Sequence, residues 1–497
     1  MPDASLTRRS PSWRALALLA VVATALAVGL TAVVVAVTGD HGNDASDSSG
    51  GTPAASAGPA TDPSEPTPTA IPAPPPAVSI ARRPRITGEP RVGERLVARL
   101  PKGAVPAGSA VAFEWRSGGE VIATHRRFRP GPEMVGRTVR VHAVVSQPGF
   151  TPATRRSKPA VVAPDNPLAD GPWAVYRGEW NGIYPAYQRA SGESRRLLGK
   201  IALQPRVIWF AANWPVSRIG PAVEDFIAEQ QSEFGEDALI QLAVFREWPR
   251  GEGGRNKPLS RSEQSDYRAW VDRVAAAIGD ARVAIVLEPD LGLNAVPNNA
   301  HEMRTADPAV RLELVRYAAE RLSDLPRTTV YLDASDSDWL SYAKIVPVLE
   351  AAGIEHVRGF ALGATHYSSV ADNIDYGAGL VEELAARGYP GKRFVIDTAD
   401  NGRPFTWLQH RAEHPGADYD NAATCRSLRD TTCNTLGVPP TSQVTGHEGL
   451  GLTGRQERLA TRLVDGYLWF GRPWLVRQNS PFSLSRSLEV ARSTPFQ

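Results

Sequence analysis

Three short apolar runs in this chain each end on a carboxylate. Val283–Leu287 leads into Glu288-Pro289-Asp290, Thr329–Leu332 into Asp333, and Arg393–Ile396 into Asp397. Runs this short and apolar fit buried parallel strands. In barrels and open α/β sheets the active site lies at the C-terminal ends of such strands. Three acids at three strand ends therefore point to carboxylates around one cleft. Cleavage of a glycosidic bond is one chemistry that needs such a pair. Each acid alone also has an ordinary structural reading, because Asp after a strand caps helices and closes turns. Glu288-Pro289-Asp290 is the most pointed of the three, since the proline cannot continue a ladder and fixes where Asp290 projects.

Further strand candidates surround these runs. They are Arg206–Phe210, Leu239–Phe245, Val357–Leu362 and Gly466–Phe470. Between them lie helical patterns. Ser260 and Glu263 form a capping box. Tyr267, Trp270, Val271, Val274 and Ile278 then supply one apolar face, and Gly279 ends the helix. Residues 309–325, 339–352 and 377–387 read similarly. About seven strands interleaved with helices from Asn166 onward predict an α/β fold, either a parallel barrel or a doubly wound sheet.

The N-terminus constrains the compartment. Ala15–Val37 is apolar and uncharged, long enough to span a bilayer. Arg8, Arg9 and Arg14 precede it and Asp40, Asp44 and Asp47 follow, so the remainder is expected outside. The run is long for a cleaved signal and lacks a sharp cleavage site, which favours an uncleaved anchor. Residues 1–14 are then cytoplasmic, 15–37 the membrane span, and 38–80 a linker rich in Pro, Ser and Thr. A net charge of +2 over 497 residues gives no case for a nucleic-acid partner. The two cysteines, Cys425 and Cys433, are expected to bridge outside the membrane and staple one loop. They lack the further ligands that zinc needs, and the nine histidines show no metal spacing. No metal or organic cofactor is implied.

Residues 81–165 differ again. Val111, Phe113 and Trp115 alternate, Gly118-Gly119 turns the chain, and Val139, Val141, Ala143 and Val145 alternate once more. This predicts a small β-sandwich with Trp115 in its core. With Gly93, Leu96, Gly136 and Gly149, the segment resembles the Ig-like repeats of bacterial surface proteins.

Residues 166–497 resemble glycoside hydrolase family 6, the inverting β-1,4-glucanases and cellobiohydrolases. The matching residues come in the family's order. They include Asn166-Pro-Leu168, Ile208-Trp-Phe210, Tyr267-Arg-Ala-Trp270, Leu287-Glu-Pro-Asp290 and Tyr331-Leu-Asp-Ala334 with Trp339. Gly359-Phe-Ala361, Ile396-Asp-Thr398, Asn401-Gly402, Cys433-Asn434, Val464-Asp465 and Leu468-Trp469 complete the series. The resemblance implies a distorted parallel barrel with fewer than eight strands. It implies that Asp290 is the general acid and that Asp333 helps keep that acid protonated, a like charge disfavouring the second ionisation. It also implies that Trp209 stacks on a sugar, although a place in an apolar strand equally suits core packing. Trp339, His366, Trp469 and Trp474 join it as candidate substrate-binding residues. A lone His such as His366 is more often simply hydrogen-bonded.

The chain departs from the family where the base should be. Arg250-Gly251-Glu252 replaces Arg-Asp-Cys. Asp333-Ala-Ser335-Asp336 replaces Asp-Ala-Gly-His, and Asp397-Thr-Ala-Asp400 replaces Asp-Thr-Ser-Arg. The late loop Gly471–Arg477 carries no carboxylate, but it gains Trp474, Arg472 and Arg477. An inverting reaction needs a second carboxyl roughly 6.5–9.5 Å from the acid. Asp336, Asp338, Asp400, Glu252 and a water chain ending on Asp333 remain open as candidates. The expected protein is a monomeric, membrane-anchored extracellular glycosidase acting on a polysaccharide. The alternative is a glycan-binding protein that kept the cleft and lost turnover.

Overall fold

The structure is a computed structural model that describes residues 75–88, 90–180, 182–296, 304–364, 366–479 and 481–496. The expected cytoplasmic segment, the span at 15–37 and nearly all of the linker at 38–80 lie outside these residues. Among the described residues no helix is long and apolar enough to cross a membrane.

The first described part is all β. Strands β1 (Arg85–Thr87), β2 (Leu96–Arg99) and β5 (Arg127–Phe128) form one antiparallel sheet. Strands β3 (Ala110–Ser117), β4 (Glu120–Ala123), β6 (Thr138–Ser146), β7 (Ala153–Arg156) and β8 (Ala160–Val161) form another. The two share one core of Leu96, Ala98, Trp115, Val139 and Val141. Trp115 is buried as the alternation predicts, and its indole donates to the His125 carbonyl at 2.8 Å.

The second part is a seven-stranded parallel sheet. Its strands are β9 (Ile208–Ala211), β10 (Ile240–Phe245), β11 (Val283–Leu287), β12 (Thr328–Asp333), β13 (Gly359–Leu362), β14 (Arg393–Asp397) and β15 (Val464–Leu468), and they pair in sequence order. The sheet curls until its edges meet. Val207, just before β9, donates its N–H to the Trp469 carbonyl, just after β15, at 2.9 Å. The doubly wound alternative is thereby set aside. Alternate residues divide between two cores. Leu242, Val244, Ile285 and Leu287 face the helical layer, whereas Ala243, Ala284, Val286, Tyr331 and Ala361 fill the interior. At Gly359 the backbones of β13 and β14 approach so closely that a Cβ would collide with the Arg393 carbonyl.

Local signals place most elements well. Helix Arg261–Ile278 has its Ser260/Glu263 capping box and ends at Gly279. Other boundaries shift. The last strand begins at Val464 rather than Gly466, so Trp469 and Phe470 lie beyond it. The helix expected from 339 starts at Tyr342, leaving Trp339 in a turn. The helix expected from 377 starts at Val370, capped by Ser369. Asn166 ties the entry of this part to its last strand, its side-chain amide donating to the Asp465 carbonyl at 2.7 Å.

Candidate active site

The ends of β11, β12 and β14 deliver Asp290, Asp333 and Asp397 to one mouth. The bend after β11 is tight, with positive φ at both Glu288 (51°) and Asp290 (71°). Such backbone is costly for residues with a side chain and persists only where the surroundings hold it. Glu288 supplies that hold. Its buried carboxylate accepts the N–H groups of Arg246 and Glu247, each at 2.9 Å, and the Tyr267 hydroxyl at 2.7 Å. Burial pushes Glu288 up to about 7 despite these donors. The loop after β10 is thus clamped to the loop that carries the half-buried Asp290.

Asp333 is fully buried. Ser335 donates its N–H to Oδ2 at 3.4 Å, while Oδ1 has no hydrogen-bond partner among the described residues. Burial first, and then the charge of Asp290, push Asp333 well above the usual carboxylate range. Two neighbouring carboxyls share one proton more readily than they ionise together. Burial therefore favours the protonated form of Asp333, and the nearby Asp290 adds to it.

Beside this pair, His366 Nδ1 lies 3.1 Å from Asp338 Oδ1. Asp338 Oδ2 accepts the Trp407 N–H at 2.6 Å and the Tyr419 hydroxyl at 3.1 Å. Burial alone would lower the imidazole. The Asp338 hydrogen bond and the charges of Asp336 and Asp338 instead raise it to about 9. Trp339 packs 5.5 Å from the His366 ring and against Gly292, two residues past Asp290. The ligand atoms of Asp336, Asp338 and His366 lie within 4.8 Å of one another, the spacing of a cation site. Protein donors already engage both carboxylates. Ser337, the Asp338 N–H and Asn373 serve Asp336, while His366, Trp407 and Tyr419 serve Asp338. That donor set suits hydrogen-bonded anions better than metal ligands.

Opposite lies the junction of β14 and β15. Asp397 accepts the Ala399 N–H at 2.9 Å and the Gly471 N–H on its other oxygen. Asp400 Oδ1 accepts the Asn434 amide at 3.0 Å. A Cβ on Gly471 would collide with Asp400 Oδ2 and crowd Asp397 Oδ2, so only glycine lets this loop pass. Arg472 follows, with its guanidinium carbon 3.9 Å from the centre of the Trp209 ring. Burial pushes Arg472 down to about 10, opposed by the charges of Asp290, Asp400 and Asp397.

The structure therefore brings Asp290, Asp333, Trp209, Trp339 and His366 to one mouth. It does not bring Trp469 or Trp474 there. Both are 1 % exposed, packed with Leu436, Leu475 and Val490, and offer no face to a sugar. The expectation for these two is corrected: a Trp just past a strand end turned into the core. Arg477, gained in the same loop, is exposed at the surface. Two contributors escaped the sequence reading. Trp407 is 41 % exposed next to Asp338. Glu247 is buried, held by Asn294, and pushed well up by burial and by Glu288. The signal for Glu247 was present, because Leu239–Phe245 is a fourth apolar run with an acid just past its end.

Fold and site together define a parallel α/β barrel enzyme type with carboxylates converging on its C-terminal mouth. The model for glycosyl hydrolases family 6 matches residues 174–448, and the chain belongs to that family. Endoglucanase A of Cellulomonas fimi is 34% identical over 220 residues, 44% of each chain. Endoglucanase 1 of Streptomyces halstedii is 29% identical over 220 residues, 44% of this chain and 65% of that one. The chain thus spans about half the length of the curated relatives it matches. Among solved structures, the endoglucanase Cel6 from Mycobacterium tuberculosis, in complex with methyl-cellobiosyl-4-deoxy-4-thio-β-D-cellobioside, superposes with a TM-score of 0.51. It is 25% identical, covering 66% of this chain and 99% of that one.

Proposed function

We propose that this chain hydrolyses β-1,4-glucan or a related polysaccharide by an inverting acid/base reaction. The observation that carries the reading is the Asp290–Asp333 pair at the barrel mouth of a family 6 chain. Asp290 protonates the leaving glycosidic oxygen, and Asp333 beside it helps keep that acid protonated. Trp339 and His366 line the cleft beside them. The N-terminal apolar run anchors the protein in the membrane with the barrel outside, and the Ig-like segment acts as a spacer. The chain works as a monomer.

The test is hydrolysis of a glycan panel by the full-length chain, with the first product's anomer read by NMR. Asp290→Asn should lower kcat on unactivated glucan by about 10²–10⁴-fold while affinity stays near wild type. Unchanged cleavage by this variant, or a retained anomer, removes the assignment. Fractionation should place the chain in membranes, with its C-terminus open to protease on intact cells.

One observation favours a second reading. Arg472 covers Trp209 in a loop without a carboxylate. A glycan-binding protein without turnover would show saturable binding and no product from any glycan.

A further inference from the structure

We propose that Asp400 takes the proton from the attacking water, the role for which the sequence leaves several open candidates. This rests on the hydrolase reading above. The geometry of the neighbouring aspartates Asp336, Asp338, Asp397 and Asp333 points away from them. Both oxygens of Asp336 and of Asp338 are engaged by protein donors. Both oxygens of Asp397 accept backbone N–H groups. Asp333 sits at the end of β12, next to the strand that delivers the acid. Among these four only Asp333, on the strand beside the acid, also keeps an oxygen without a hydrogen bond, whereas Asp400 lies away from that strand. Asn434 fixes Oδ1, whereas Oδ2 makes no hydrogen bond among the described residues, the Gln478 amide standing near without closing one. Asp400 follows β14, three strands from β11, and in a seven-stranded sheet whose edges meet that is across the mouth from Asp290.

The carboxyl also has the right poise. Burial pushes Asp400 up to about 7, against the pull of Asn434, Gln478, Arg486 and Arg472. A base with a pKa near the working pH accepts a proton and releases it again without a trap. The Gly471–Arg472 loop covers Oδ2. The Arg472 guanidinium occupies the face of Trp209 at 3.9 Å, and a sugar ring cannot share that face. A glucan chain seated on Trp209 therefore displaces Arg472 and opens Oδ2 to water. The water oxygen then bonds to the anomeric carbon. The bond from that carbon to the glycosidic oxygen breaks toward the oxygen, which takes the proton of Asp290. The water proton passes to Asp400 Oδ2, and solvent returns it to Asp290 after product leaves.

The experiment uses the full-length chain with Asp400→Asn and Asp400→Ala, checked for fold by near-ultraviolet circular dichroism and glucan affinity. Asp400→Asn should lower kcat by about 10²–10⁴-fold with little change in KM, and remove the acid limb of kcat/KM near pH 7. Sodium azide should restore turnover to Asp400→Ala and give the α-glycosyl azide, which a structural role would not produce. A rate near wild type, a retained acid limb in the Asn variant, or a folded Ala variant that azide does not rescue each overturns the assignment. If Asp400→Ala does not fold, the Asn variant's pH profile decides. A wild type inactive on every glycan overturns the hydrolase reading beneath it. An active wild type silenced by Asp290→Asn but not by Asp400→Asn overturns only this one.

Discussion

The Tyr267 hydroxyl donates to Glu288 Oε1 at 2.7 Å, joining the buried face of a helix to the bend that aims Asp290. Tyr267 belongs to the apolar face of Arg261–Ile278 and packs there as a core residue. Its phenol does a second task. It is the side-chain donor to a carboxylate whose other two donors are backbone groups of the neighbouring loop. The strained backbone at Glu288 and Asp290 is held through this point.

Tyr267→Phe removes that donor and leaves a buried carboxylate short of one partner. The expected loss is about 1–3 kcal/mol of stability, measured by denaturant unfolding. If the hydrolase reading holds, kcat should fall more than KM rises, because Asp290 is then less firmly aimed. A variant as stable and as active as wild type would show that the backbone donors alone hold the bend.

Stability should fall as pH rises from mildly acid to alkaline. Glu288 and Asp400 are raised by burial to about 7 from ordinary values of 4.5 and 3.8. A carboxyl with a raised folded pKa binds its proton more tightly when folded, so its contribution is present below its unfolded pKa and lost as pH climbs through 7. His366 is raised from 6.5 to about 9, so its contribution is full below 6.5 and lost as pH climbs through 9. Asp338 is lowered by the same partnership and opposes the trend only in strong acid. Thermal melting across pH 5–9 should show Tm declining throughout, and His366→Gln should flatten the decline above neutrality. A Tm that rises over this range would contradict the burial of these groups.

The Cys425–Cys433 bridge forms as the sequence suggested, closing a separation of 8 residues. Asn434, the residue that fixes Asp400, follows directly, and its carbonyl accepts the Cys425 N–H at 3.0 Å. Reduction, or the double Cys→Ser variant, should cost about 2–3 kcal/mol in the loop-entropy account. Activity should fall further than that loss of folded protein explains, since Asn434 is loosened too. Equal activity per folded molecule would separate the bridge from the site.

Periodicity and punctuation made the scaffold legible. Apolar runs of strand length, the Ser260/Glu263 box and the acids at strand ends required only local rules. They placed the seven parallel strands, with Asp290 and Asp333 at the ends of two of them. Local rules did not fix which way a side chain turns once its strand has ended. Trp469 and Trp474 follow a strand end as Asp290 does, yet they turn into the core because Leu436, Leu475 and Val490 pack there. Glu247 lay in plain view past a strand end, but its pairing with Glu288 depends on two strands lying side by side.

The sequence by itself determined that this chain alternates strands with helices and sets acids at strand ends, because strand length, alternation and capping are decided within a few residues; whether those strands close into a barrel mouth it left open. Only the tertiary structure decided the charge arrangement of that mouth. Closing the sheet edge to edge brings Arg472 over Trp209 and among Asp290, Asp397 and Asp400, residues as far as 263 positions apart in the chain. Which carboxyl keeps a proton there follows from burial and from neighbours across the barrel, and neither is a property of any local stretch of sequence.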